Sequence, residues 1–390
     1  MGTHPGRDVP TASGRAGGPH HIPAQGRRLR VLISGAGIAG ATLAALLIRD
    51  GHEVMVVERD QGTRSSGNPV DVRGSAFAVI ERLRLLSRLR DVATRVHELV
   101  FVDASGRRIA KMNTRRGDRE LEVPRADLST MLIDASQQDA EFRFGDTLVG
   151  IEADDHGVDV TFERGAPDRF DLVVGADGIH SAVRRLAFGP EDAFVTHFGL
   201  YIATVCLQTA VERDDAVLMY NEPGGAIALH PATGRPIAAF MFRSDVEVDP
   251  RNQDSSESLM KQTYGEAGWR APDLLNSYLA TDDRYFDAVS RVRVPSWTRQ
   301  RVVLLGDAAS CITLFGEGSS SAISGAETLA RSLGAFPQDI TRALLHYESN
   351  HRAFAGRGQR VAPLASHLLI PNSRTGIMLR NHGLRFVGNR

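Results

Sequence analysis

"LRVLISGAGIAGATLAALLIRDGHEVMVVE", Leu29 to Glu58, decides the fold. Its first segment, Leu29–Ser34, is short and largely apolar without polar alternation, as a strand covered on both faces would be. "GAGIAG" follows as a turn, "ATLAALLIRDG" reads as a helix ending on Gly51, and "HEVMVVE" reads as a second strand. Gly35-Ala36-Gly37-Ile38-Ala39-Gly40 therefore fits G-x-G-x-x-G in the strand–turn–helix setting that gives the pattern its meaning. Gly35 permits the tight turn, Gly37 leaves room for a pyrophosphate against the backbone, and Gly40 lets helix and strand pack closely. The helix amino end, with Ile38 and Ala39 in its first turn, offers unpaired N–H groups and a partial positive charge to phosphate. Glu58, about 20 residues past the turn, would accept the ribose hydroxyls of an adenosine, with Arg59 beside it. The fingerprint alone leaves NAD and FAD both open.

Composition sets the outer limits. A chain of 390 residues with 42% hydrophobic and 24% charged side chains can build a large core, divided between two cooperating domains. A formal net charge of −1 provides no global field for nucleic acid or an anionic membrane. The two cysteines, Cys206 and Cys311, make neither a disulfide framework nor a thiolate metal site, which fits a cytoplasmic protein without a metal. Arg27-Arg28 before the uncharged run Val31–Ile48 imitates a twin-arginine signal or a membrane span. The run carries Gly35, Gly37 and Gly40 and leads into another strand, so strand, turn and buried helix explain it better.

Residues 1–27 show no hydrophobic period and read as a disordered leader. "SAFAVIERLRLLSRL" has helical spacing. "VTHFGLYIATVCL", "AIALHPATG" and "PIAAFMFR" read as strands broken by glycine and proline turns. "DLVVGADG" and "VVLLGDAA" are two more buried strands, each ending in a Gly/Asp turn. The fold expected is α/β: a Rossmann-like dinucleotide-binding domain with an inserted β-sheet substrate domain and a C-terminal helical segment. The first would comprise residues 28–96, 120–190 and 290–365, the second 97–119 and 191–289, and the tail 366–390.

"DLVVGADGIHSAVRR" (Asp171–Arg185) and "VVLLGDAAS" (Val302–Ser310), in this order after the first fingerprint, resemble the FAD-dependent class A monooxygenases. That is the para-hydroxybenzoate hydroxylase superfamily, which includes aromatic polyketide hydroxylases and tetracycline-inactivating enzymes. The resemblance runs from Leu29 to the mid-360s and implies FAD as cofactor. It gives Gly35, Gly37, Gly40 and Glu58 to the ADP half of FAD, and Arg125 in "VPRADLSTML" to the flavin. Asp177 and Gly178 match the turn associated with FAD and a transiently docked nicotinamide nucleotide. Gly306 and Asp307 match the turn that holds the ribityl and pyrophosphate region, and Gly318 closes the loop before the following helix. "PVDVRG" resembles a loop that passes the flavin ring in the tetracycline-inactivating branch, which makes Arg73 a flavin or substrate contact.

The implied reaction uses NAD(P)H to reduce FAD, and O2 then forms a flavin C4a-hydroperoxide that hydroxylates a bulky aromatic or polyketide-like natural product. A helix amino end after residue 316, with Ser319 to Ser321 as capping oxygens, would stabilise the reduced ring. Here the chain departs from its relatives. Leu314 stands where proline is usual, Glu317 where glutamine is usual, and Ser310 where many have histidine. A solvent-facing Glu317 would favour its own helix by about 0.3–1 kcal/mol, whereas one aimed at the ring would oppose its reduction. Two alternatives therefore stay open: FAD in a non-redox or cyclase role, and an oxidase or dehydrogenase.

The β-rich section offers Phe198, Tyr201, Tyr220, His230, Phe240, Phe242 and Arg243 as pocket walls, most of them read as core. Strand alternation sends Phe198 and Tyr201 to opposite faces. His197 and His230 are candidate proton acceptors. The arginine-rich tail reads as a helical cover on the FAD domain with its arginines turned outward. The partners expected are a small aromatic substrate and O2, with neither nucleic acid nor membrane, in a monomer or homodimer.

Overall fold

The computed structural model describes residues 27–62, 68–114, 117–209, 211–250, 252–312 and 317–387, side chains at 312, 317, 356–366 and 385–387 excepted. The expected leader thus lies, but for Arg27, outside the described residues. Arg30–Ser34 occupies the middle of a six-stranded sheet, paired in parallel with Glu53–Glu58 on one side and Leu172–Gly175 on the other. Val302–Leu304 adds in parallel beyond Leu172–Gly175, and Glu141–Phe144 beyond Glu53–Glu58. Thr298–Arg299 closes one edge antiparallel. Central placement explains the apolar run, since Val31, Leu32 and Ile33 are fully buried.

Helix Ile38–Arg49 is buried from Ile38 to Leu47 because it lies between this sheet and the long helix Glu317–Ala335. A helix apolar all round needs such a double cover. Among the described residues no helix is long and apolar enough to cross a membrane.

The inserted β-structure is an eight-stranded sheet. Its order runs Ser310–Ile312, Arg284–Arg293, Val195–Cys206, Ile237–Arg243, Gly225–His230, Ala216–Glu222, Glu98–Val102, Arg108–Asn113. Register fixes its two faces. Ile202 pairs with Met241 and Ala239 with Ala228, so these share one face. Tyr201, Phe240 and Phe242 share the other, under helices Gln253–Tyr264 and Ala271–Leu279. There Tyr201 stacks on Phe242 at 5.6 Å, and Phe240 meets Tyr264 edge-on at 5.1 Å. Phe198 packs instead with Leu200 and Ile370, on the face opposite Tyr201.

The helical spacing of "SAFAVIERLRLLSRL" takes the form of two helices, Ser75–Arg82 and Leu86–Val92. Arg84 takes a left-handed backbone (φ 62°) between them, and Arg49 donates to the carbonyls of Arg82 (2.6 Å) and Leu83 (3.3 Å). Helix Ile38–Arg49 thus caps the carboxyl end of Ser75–Arg82 through Arg49, as basic groups at a carboxyl end do.

The end of the tail corrects the expectation of a cover on the FAD domain with arginines turned outward. After helix Ile340–Leu369, helix Arg374–Val387 packs on the large sheet at Arg108–Asn113. Arg380 turns inward, its guanidinium 4.2 Å over the Phe101 ring. It donates to the carbonyls of Leu368 and Leu369, both at 3.2 Å, and to Asn221 Oδ1 at 2.9 Å. Burial pushes its pKa down to about 10. Snorkelling fails here because those acceptors lie within the fold. Arg380→Ala should therefore cost about 2–3 kcal/mol in urea unfolding and expose this helix to protease. An unchanged midpoint would show that the inserted guanidinium contributes nothing.

Candidate functional site

Two adjacent parallel strands, Arg30–Ser34 and Leu172–Gly175, release their chains side by side at their carboxyl ends. Such a switch point is where open α/β sheets form ligand crevices. Gly35 leaves with φ 104°, and a Cβ there would lie 2.5 Å from the Ala176 carbonyl oxygen. A Cβ on Gly40 would lie 2.0 Å from the Gly35 carbonyl oxygen, so this glycine carries the close packing of helix on turn. Gly37 is different. It sits at the helix amino end with φ −70°, and a Cβ added to it meets nothing within 4 Å.

That open space is part of a cavity of about 490 Å³, within the usual range for small-molecule sites. Gly35, Gly37, Ile38, Ala39, Glu58, Arg59, Arg125, Asp177, Gly178, Asp307 and Gly318 all line it. Three turns far apart in sequence therefore meet at one place. Gly40, Arg73 and Gly306 stand outside the lining. Gly306 approaches Ala39, where a Cβ would come within 2.9 Å. Glu317 opens the long helix, but its side chain lies outside the described residues, as does Leu314.

Glu58 and Asp177 are held by hydrogen bonds from the turns around them. Glu58 Oε2 accepts the Ala36 N–H at 2.9 Å, and Oε1 accepts that of Asp60 at 3.0 Å. The end of the second strand is thereby tied to the glycine turn. Asp177 accepts the Ser181 hydroxyl, the Val183 N–H at 3.1 Å and the Ser34 hydroxyl at 3.3 Å, which braces the start of helix Ala182–Ala187. Asp307 lies beside Cys311, and burial together with this carboxylate pushes the thiol far above its ordinary range. Cys311 is thus an inert wall.

Ser319 and Ser320, expected as capping oxygens, both donate to the Asp71 carbonyl at 2.8 Å, and Ser320 Oγ accepts the Arg73 N–H at 3.1 Å. They fasten the long helix to strand Pro69–Arg73. The start of this helix and the "PVDVRG" strand consequently form one rigid side of the cavity.

The opposite side is the large sheet, through Ile202, Val217, Ala228, Ala239 and Met241. The wall is apolar, and its aliphatic side chains are small or flexible. Of the aromatic and polar candidates only His230 reaches the cavity. Its Nδ1 accepts the Ala232 N–H at 3.0 Å, which leaves Nε2–H to donate to Glu122 Oε2 at 3.1 Å. Both nitrogens are thus engaged by protein groups. His197 Nε2 donates to the Leu200 carbonyl at 3.0 Å and stands apart from the lining.

Sequence reading missed Asn68, Asp146, Thr147, His180 and Tyr285, which also line the cavity. Gly145-Asp146 repeats the strand-then-Gly/Asp pattern of Gly306-Asp307, a signal that was available. The buried Asp146 carboxylate accepts N–H groups of Thr147, Arg164 and Gly165 at 2.9–3.0 Å, which shapes the turn beside Glu58. Tyr285 had no motif around it. Its phenol is held neutral by burial and by Asp287, to which it donates at 2.8 Å.

The arrangement fits an extended dinucleotide. A helix amino end with open space at Gly37 faces the cavity, Glu58 is oriented beside it, and an apolar wall lies at the far end. The family described as FAD binding domain matches residues 28–360. An uncharacterised protein of Mycobacterium tuberculosis (strain ATCC 25618 / H37Rv) is 35% identical over 340 residues, covering 84% of this chain and 91% of that one. A flavin-dependent monooxygenase of Legionella longbeachae is 30% identical over 342 residues, with 86% and 88% covered. Among solved structures, the tetracycline destructase Tet(51) superposes with a TM-score of 0.81 at 27% identity, covering 93% of this chain and 96% of its own. Klebsiella pneumoniae HpxO complexed with FAD and uric acid shares the fold, with a TM-score of 0.74 at 22% identity and 94% and 95% covered. The chain belongs to the FAD binding domain family and is an FAD-dependent monooxygenase of the class A type.

Proposed function

We propose that this enzyme uses NAD(P)H and O2 to hydroxylate a flat, polycyclic aromatic or enol-bearing compound of the polyketide kind. One observation carries the cofactor half of this reading, the cradle at Gly37. Among the described residues nothing lies within 4 Å of a Cβ placed there, whereas a pyrophosphate drawn against the amino end of helix Ile38–Arg49 would occupy that space. Glu58, fixed by its two N–H donors, presents its carboxylate to the adenosine ribose. Asp307, Gly318 and Arg125, which line the cavity, would hold the ribityl chain and ring, and Asp177 and Gly178 would shape the turn beneath. When bound, FAD supplies hydride acceptance and oxygen activation.

The chain's own part is to bind, orient and exclude water. The start of helix Glu317–Ala335, braced on Asp71, would offer its N–H dipoles to the ring. The large sheet would face that ring with Ile202, Ala228, Ala239 and Met241, which form an apolar wall. A planar, fused-ring ligand fits such a wall by stacking and apolar contact. The segments 97–119 and 191–289 supply most of this substrate side, and the strand Arg284–Arg293 extends it past residue 289.

Two measurements test the reading. Gly37→Ala should leave the thermal midpoint within about 2 °C yet weaken FAD binding by about tenfold or more, because its methyl group fills only the ligand's space. Gly40→Ala should instead destabilise the fold by about 2–4 kcal/mol. Equal FAD affinity in Gly37→Ala and wild type would remove the cradle argument. In the second measurement, the FAD-loaded enzyme is mixed anaerobically with NADH or NADPH and a panel of phenolic and polycyclic compounds. Flavin bleaching should follow and quicken with a polycyclic member. Bleaching by dithionite but by neither nucleotide would instead favour FAD in a non-redox role.

A further inference from the structure

His180 stands where the cavity meets the seam between the two large sheets. It belongs to the turn after strand Leu172–Gly175 of the six-stranded sheet. Its Nδ1 lies 2.9 Å from Glu191 Oε1, on the short connector Glu191–Ala193. Its Nε2 lies 3.7 Å from Asp287 Oδ1, on strand Arg284–Arg293 of the eight-stranded sheet. This second contact has ion-pair length rather than hydrogen-bond length. One imidazole therefore connects three segments, two of them from opposite sides of the seam.

Asp287 is the sensitive member. Its side chain is only 13% exposed, and it accepts the Tyr285 phenol at 2.8 Å and the Ala288 N–H at 2.8 Å. Among the described residues, His180 is the one cationic side chain paired with it. Glu191 differs in having a second cation, the buried Arg184, at 3.8 Å. Arg184 is itself spent on the carbonyls of Ala308 and Ile179, with Asp177 acting on it from the same turn. Tyr285 feels Arg125 and Asp307 in addition to Asp287.

We propose that His180, in its protonated form, is a positioning residue that clamps Asp287 to Glu191 and so holds the Tyr285 wall of the cavity in its binding position. The clamp rests on the FAD reading above only for the ligand used in one arm of its test. Asp287 and then Glu191 hold the imidazole proton on, against the opposing effect of burial, and raise its pKa above the ordinary histidine value. A raised folded-state pKa contributes stability that is complete below the unfolded value, about 6.5, and is lost as pH climbs through the folded value. Above that point the largely buried Asp287 is left beside a phenol, with Asp307 also close by, and the seam loosens.

The first arm titrates FAD onto the apoprotein by flavin fluorescence at pH 6 and pH 9. Wild-type affinity should fall about three- to tenfold between the two, the size expected of a partly exposed ion pair. His180→Gln should bind at the weaker level at both pH values, and His180→Lys, charged throughout, should bind tightly at both. An unaltered pH dependence in His180→Gln would overturn the proposal, as would a His180→Lys variant as weak as His180→Gln. The second arm needs no cofactor. Nitrogen-15 NMR of the labelled histidines should place the His180 midpoint above the ordinary range, falling by at least about half a unit in Asp287→Asn. An unmoved midpoint would also overturn the clamp. Failure of wild type to bind FAD at either pH would count against the cofactor reading instead, leaving His180 to be decided by NMR.

Discussion

A carbonyl oxygen that tolerates no neighbouring Cβ governs this molecule. Where strands Arg30–Ser34 and Leu172–Gly175 end together, the Ala176 oxygen lies 2.5 Å from the place a side chain at Gly35 would begin. The first turn can therefore pass the second only as bare backbone. Once it does, Gly40 brings the helix down on the Gly35 carbonyl, and the helix amino end is directed at the crevice between the turns. Glu58 then fastens the next strand to Ala36. Position, dipole and carboxylate thus follow from one steric limit.

Opposite that crevice, the eight-stranded sheet contributes specificity through register. Alternation places the large aromatics Tyr201, Phe240 and Phe242 beneath two helices and leaves a smooth aliphatic face toward the cavity. A one-residue slip of either strand would exchange the faces, filling the cavity with rings. The two sheets are joined where His180 meets Asp287, and Arg380 grips the large sheet further along its cavity-facing side, over Phe101. Both contacts put a cation between segments distant in sequence, and both depend on partial burial for their strength.

What was legible in the sequence was local. A strand, a glycine turn and a buried helix signal themselves within a few residues, and the Gly/Asp turns at Asp177 and Asp307 do the same. The residues that sequence reading placed wrongly or missed depend on partners far along the chain. Nothing in "SAFAVIERLRLLSRL" announces that Arg49 will cap it near Leu83. Ser319 and Ser320 resemble helix caps in isolation, but strand Pro69–Arg73 offers them the Asp71 carbonyl. Arg380 looks like a surface charge until Asn221 and two backbone carbonyls are brought to it. Tyr285 and His180 carry no spacing signal, because their meaning lies in a contact across two sheets.

A crystal structure of the protein with FAD tests the central claim most directly. Pyrophosphate oxygens are expected within hydrogen-bonding distance of the backbone N–H groups at the start of helix Ile38–Arg49, in contact with Gly37. The adenosine ribose is expected on Glu58, and the flavin ring between helix Glu317–Ala335 and the Ala228–Ala239 wall. Electron density for FAD elsewhere, or a pyrophosphate that leaves the space above Gly37 empty, would contradict that claim.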